Sequence, residues 1–110
     1  MSAELAKRLV ACKHWRWMRG MLWCLPSNAP EPLRGRMIGG DPSALLLAEG
    51  WPDLDDPVTL IKLTALVREV WDKPTATCEW FPSRADGWMC LGCYGHTQAE
   101  ALVAALEAAP

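Results

Sequence analysis

The chain has 110 residues, 51% of them hydrophobic and 22% charged, with a formal net charge of −2. Those values fit a single modest domain spanning 1–110 and exclude wholesale disorder. No unbroken apolar run approaches the length that spans a bilayer, and the first eight residues lack the apolar block of a signal peptide, so a cytoplasmic protein with no membrane partner is expected. Charge is unevenly divided: residues 1–40 carry seven Lys/Arg against two acidic residues, and residues 41–110 carry four against eleven. Either half could face an oppositely charged partner, or the two halves could attract each other within the fold. Five cysteines, odd in number and irregular in spacing, read as reduced thiols rather than a disulfide framework.

In chain order, Leu5, Leu9 and Cys12 recur at helical spacing and predict a helix over 4–12, with Ser2 available as its cap. Short strands follow at 21–25 and 34–38. Pro26, Pro30 and Pro32 exclude regular structure between them. Asp41-Pro42 can open a short helix over 42–49 that Gly50 stops. Asp56-Pro57 is a stronger start, a capping carboxylate followed by proline in the first turn. It predicts a helix over 57–71 with Leu60, Leu63, Val67 and Val70 in one stripe, widened by Ile61, Leu66 and Trp71. Thr59, Lys62, Arg68, Glu69 and Asp72 are left for solvent.

The last third predicts strands at 75–81 and 88–94, joined by turn-forming residues at 82–87. A helix over 98–108 follows, capped by Thr97 and Glu100 and burying Ala99, Leu102, Val103 and Leu106. The expected order is α-β-β-(α)-α-β-β-α. An isolated hairpin is marginal in water, so the two hairpins are expected to share one antiparallel sheet of about four strands packed by helices, an α+β fold.

Three segments, ACKHWRWMRGM, WPDLDDPVTLIKLTALVREVWDKP and TQAEALVAALEAA, resemble those of small proteins encoded by bacteriophages and prophages, in particular the phage ABA-sandwich type, named for a sheet between helical layers. The resemblance covers most of the chain and rests on helix patterns and tryptophans. It implies a phage origin; it brings no assigned chemistry and no functional residues.

Two clusters carry candidate chemistry. Cys90 and Cys93 have knuckle spacing, His96 follows, and Cys78 lies on the partner strand, a set that could hold zinc. On a regular strand, however, residues three apart face opposite ways, and free cysteine commonly serves as a small core hydrophobe. Core thiols are therefore the expectation, with no metal and no cofactor. The segment 13–19 interleaves Lys13, His14, Trp15, Arg16, Trp17, Met18 and Arg19. Such a strip can neutralise phosphates while its rings stack on bases; equally, its tryptophans can anchor the first helix while the arginines lie at the edge.

Seven tryptophans exceed what a small domain readily buries. Trp71, Trp80 and Trp88 are assigned to burial, and Trp15, Trp17 and Trp51 to an exposed partner-binding surface with Lys13, Arg16 and Arg19. Asp53, Asp55 and Asp56 lack the remaining ligands of a calcium loop and read as charges at a helix start. No nucleophile elbow, P-loop or dinucleotide fingerprint is present, so no enzyme is expected. The expected function is a phage or prophage accessory protein that binds a host protein or protein complex, as an inhibitor of a host defence system such as CRISPR–Cas. The alternatives are a nucleic-acid-binding regulator using residues 13–19 and a zinc-stabilised interaction module.

Overall fold

The computed structural model of the protein describes residues 3–82 and 87–110. The expected cap Ser2 and most of the predicted turn at 82–87 lie outside the described residues. Among the described residues the order is α1 (Ala3–Val10), β1 (Leu22–Leu25), β2 (Leu33–Arg36), α2 (Ala44–Glu49), β3 (Trp51–Pro52), α3 (Pro57–Trp71), β4 (Cys78–Trp80), β5 (Trp88–Cys90), β6 (Cys93–Gly95) and α4 (Gln98–Glu107). The α+β class holds. The single sheet of about four strands does not: the strands form two antiparallel sheets, β2-β1-β3 and β4-β5-β6.

Each hairpin acquires a third strand that alternation did not indicate. In the first sheet, Trp51 and Pro52 pair with Cys24 and Trp23, a two-residue strand too short to show a period. In the second, the predicted strand at 88–94 is folded back on itself. Leu91 and Gly92 take φ values of 51° and 80°, the positive φ pair of a two-residue hairpin turn. Glycine accepts such a backbone freely; Leu91 is held there against its ordinary preference. The turn sets Cys93 opposite Cys90 and Tyr94 opposite Met89, so every side chain after it changes face relative to a straight strand.

The helices begin where local chemistry places them. Asp56 accepts from the amide of Thr59 at 2.9 Å, and Pro57 occupies the first turn of α3. Thr97 accepts from the Glu100 amide at 3.1 Å while the Glu100 carboxylate accepts from the Thr97 amide at 3.2 Å, the reciprocal box that opens α4. α2 is shorter than expected, because Ser43 rather than Asp41 caps it.

The main core joins α3, α4 and α1 to the second sheet: Leu63, Leu66 and Val67 meet Ala101, Leu102, Val103 and Leu106, with Leu9 and Cys90 among them. Thr59, assigned to solvent by the periodicity, is fully buried. Its hydroxyl accepts from the Leu22 amide and donates to Asp56, each at 2.9 Å, so it satisfies a strand amide and ties β1 to the start of α3. Ile61, assigned to the stripe, is 65% exposed.

The far end of α4 is finished by side chains from elsewhere. Trp71 Nε1 donates to the Ala105 carbonyl at 2.8 Å, the Cys12 thiol to that of Leu106 at 3.7 Å, and His14 Nε2 lies 3.3 Å from that of Ala109. Side chains from α3 and from the segment after α1 thus cover the C-terminal end of α4, where the helical backbone bonds run out. A smaller second cluster, Trp17, Met21, Met37 and Leu46, fills the space between the first sheet and α2.

Candidate binding groove beside the tryptophan segment

The chain leaves α1 at Val10 and crosses to β1 through residues 11–21, and the need to cover two cores orients its tryptophans. Trp17 is 6% exposed and belongs to the second cluster. Trp15 is half-buried against both clusters, its ring edge-on to Trp17 at 5.4 Å and 75°. Its indole Nε1 is buried without a hydrogen-bond partner among the described residues. The two rings therefore serve mainly as a bridge between the cores, and the exposure expected of Trp17 is not found. Alternation of cations with aromatics has a simple cause here: the aromatic positions turn inward, and Lys13, Arg16 and Arg19 remain exposed.

Arg16 is engaged at the surface by a paired contact with the Glu69 carboxylate of α3. The guanidinium holds that carboxyl below its ordinary range. Similar pairs link Arg8 to Glu107, Arg34 to Asp53 and Arg36 to Asp56. Each joins the basic first part of the chain to the acidic remainder. Much of the charge asymmetry is thereby used within the fold, as one of the two sequence readings had it.

Trp15, Arg16 and Trp17 still share a surface. Together with Val10, Asp41 and Leu47 they border an open groove of about 570 Å³ between the end of α1 and α2. A shallower depression of about 300 Å³ continues it past Val10 and Leu47 to Lys7 and Glu49. Leu47 and its neighbour Leu45 are more than half exposed, and Ile38 almost wholly so. These aliphatic residues had no place in the sequence reading. The signal was present in the run Leu45-Leu46-Leu47: a six-residue helix can bury only one side, and Leu46 takes it.

Trp51 lies elsewhere. It is half-buried beneath the ammonium of Lys7, 5.1 Å from the ring centre, and lines a pocket of about 230 Å³ with Cys24, Arg34, Asp53 and Asp55. The acidic residues there are occupied by local structure: Asp53 accepts from the Asp55 amide at 2.9 Å, and Asp56 caps α3 while pairing with Arg36. Trp80, assigned to burial, is 53% exposed and sits beside Trp88 at 5.6 Å between ring centres.

The cysteine set is partly assembled. Cys78, Cys90 and Cys93 form one row across the second sheet, because the Leu91-Gly92 turn cancels the divergence expected of a straight strand. His96 lies on the connection to α4, where its backbone amide donates to Glu100. Among the described residues no group of three or more His, Cys, Asp or Glu side chains converges as a metal site would. No helix among them is long and apolar enough to cross a membrane. No protein-family model, curated protein or solved structure matches the chain.

Proposed function

We propose that the protein is a non-enzymatic phage or prophage accessory protein that binds a host protein or protein complex through the groove beside Trp15, acting as an inhibitor of a host defence system such as CRISPR–Cas. The observation that carries the binding role is the groove itself. It gathers the partly exposed Trp15 and the exposed Leu47 in one open concavity, lined also by the largely buried Trp17, with Arg16 and Asp41 at its border. Aromatic and arginine side chains in a concave, partly apolar setting are the residues from which protein-binding hot spots are commonly built. Phage origin and the choice of a defence system as target rest on the resemblance of the three sequence segments, an analogy of origin rather than of chemistry.

The test is affinity capture from a lysate of the bacterial host, with the wild-type protein beside two variants. Leu47→Glu places a charge in the groove; K13E/R16E/R19E reverses Arg16 at its border and the two other exposed cations of the 13–19 segment. Both should abolish capture of the same host protein while the melting curve moves little, because these positions are exposed. Capture that survives both variants would place the working surface elsewhere. A partner displaced by mixed-sequence DNA, with binding that weakens as salt rises, would replace the protein target by nucleic acid.

A further inference from the structure

The row of cysteines in the second sheet packs against the main core, and its register carries more than packing. Its phase follows from two independent features. Cys90 and Cys93 flank a two-residue turn, so their backbones face each other as a hydrogen-bonded pair. A residue in a central antiparallel strand directs its amide and carbonyl to the same side; toward β4, Cys90 must therefore belong to a non-hydrogen-bonded pair. The opposite end of the β4–β5 ladder agrees. The Phe81 amide donates to the Gly87 carbonyl at 2.5 Å, so bonded pairs fall at 81/87 and 79/89, and the unbonded ones at 80/88 and 78/90.

Unbonded pairs bring their Cα atoms to about 4.5 Å with side chains closest, inside the roughly 4.4–6.8 Å that a disulfide requires. Each thiol shifts the other's ionisation, as facing neighbours do: Cys78 is raised and Cys90 lowered. The Cys93 thiol is turned toward the carbonyl of Leu91, 4.0 Å away. Access is divided as well. Cys90 is 1% exposed beneath α4, whereas Cys78 is only partly buried, on an edge strand.

We propose that Cys78 and Cys90 form a thiol oxidation site whose oxidant is a low-molecular-weight disulfide of the glutathione type, and whose product is a cross-strand disulfide tying β4 to β5. The pair first loses one proton to solvent. The Cys78 thiol, and more weakly the positive charge of Arg68, draw Cys90 below the ordinary thiol range against the effect of its burial, while the neighbouring Cys90 and burial push Cys78 up. Transfer of the remaining proton from Cys78 to Cys90 leaves the accessible sulfur as nucleophile. It attacks the small disulfide, forming a Cys78 mixed disulfide and expelling one thiolate, which takes the proton from Cys90. The Cys90 sulfur then attacks Cys78 Sγ, and the second small thiolate leaves and is protonated by solvent. Two protein thiols are oxidised and one small disulfide is reduced to two thiols.

The site can be read by mass spectrometry of the full-length protein. After native incubation with oxidised glutathione, acid quench and alkylation, trypsin cuts at Arg84 and separates Cys78 from Cys90 and Cys93. We expect one peptide pair linked through a disulfide, retained in C93S and absent in C78S and C90S. The oxidised protein should melt higher by roughly 5 °C or more, reversed by dithiothreitol, because the bond closes the 78–90 loop. A link lost in C93S would assign the bond to Cys93 and overturn the proposal. So would oxidation that stops at glutathione adducts, or no link at all. Should C90S fail to fold, the C93S and C78S results decide alone.

Discussion

Around α4 the buried set is small and aliphatic: Ala99, Ala101, Leu102, Val103, Ala105 and Leu106, facing Leu63, Leu66 and Val67 of α3. Under β1 the same task falls to Trp17, Met21, Met37 and Leu46, a few large side chains with Trp15, Met18 and Trp23 leaning on them. The alanines let α4 lie close on the second sheet, so close that a Cβ on Gly95 would stand 2.7 Å from the Ala101 amide nitrogen. The methionines and tryptophans fill their region with a few bulky side chains, and the groove opens beside Trp15 and Trp17 at that region's margin. One region is thus built from many small aliphatic side chains, and the other from a few large ones beside an open groove.

The strongest way to break that comparison is truncation in both cores. Leu102→Ala should cost about 2–5 kcal/mol in urea unfolding, since a fully buried leucine leaves a cavity in closely fitted surroundings. Leu46→Ala, on a six-residue helix at the edge, should cost near the low end, about 2 kcal/mol. Equal losses would show the second cluster to be as tightly built as the first.

Backbone approach offers a smaller contrast. Gly95→Ala should destabilise by about 1–3 kcal/mol, because the added methyl meets helix backbone that cannot swing aside. Gly39→Ala, with open space around it, should be neutral or slightly stabilising in the same thermal melt.

The smallest effect sharpens how the two regions are joined. Asp56 caps α3, accepts from Thr59 and pairs with Arg36 of β2 at 2.7 and 3.1 Å. Asp56→Ala should cost about 1–2 kcal/mol. Arg36 chiefly, helped by the Thr59 amide and hydroxyl, holds this carboxyl below its ordinary range, and burial, the second-largest effect, opposes them. A carboxyl depressed in the folded state stabilises fully above its unfolded pKa, near ~3.9, and loses that contribution as pH falls through the lower folded value. The difference between wild type and D56A should therefore be flat above about pH 5 and shrink in more acidic solution. A difference that grows on acidification would contradict this account of the link.

The legible parts of this chain are those whose causes lie within a few residues. Asp56-Pro57 places the start of α3, and Thr97 with Glu100 places the start of α4, because a cap is completed by amides two or three positions away. The buried face of α4 follows for the same reason: a ten-residue helix displays its period fully. The groove was half legible. Arg16 and its two rings stand side by side in 13–19, but Leu47 reaches the groove from another element, and no local pattern joins them.

Tertiary structure decided the remainder. A two-residue strand such as Trp51–Pro52 exists only because β1 has a free edge to receive it. The fold-back at Leu91-Gly92 needs α4 to cover one face of the resulting sheet, and that alone puts Cys78, Cys90 and Cys93 in a row. Thr59 goes inside because the Leu22 amide requires an acceptor there, and Trp17 because the first sheet and α2 leave a space of its size. Alternation and periodicity report which residues share a side. Whether a side meets water or another element is settled by distant parts of the chain, since burial energy depends on the partner surface and not on the segment that presents it.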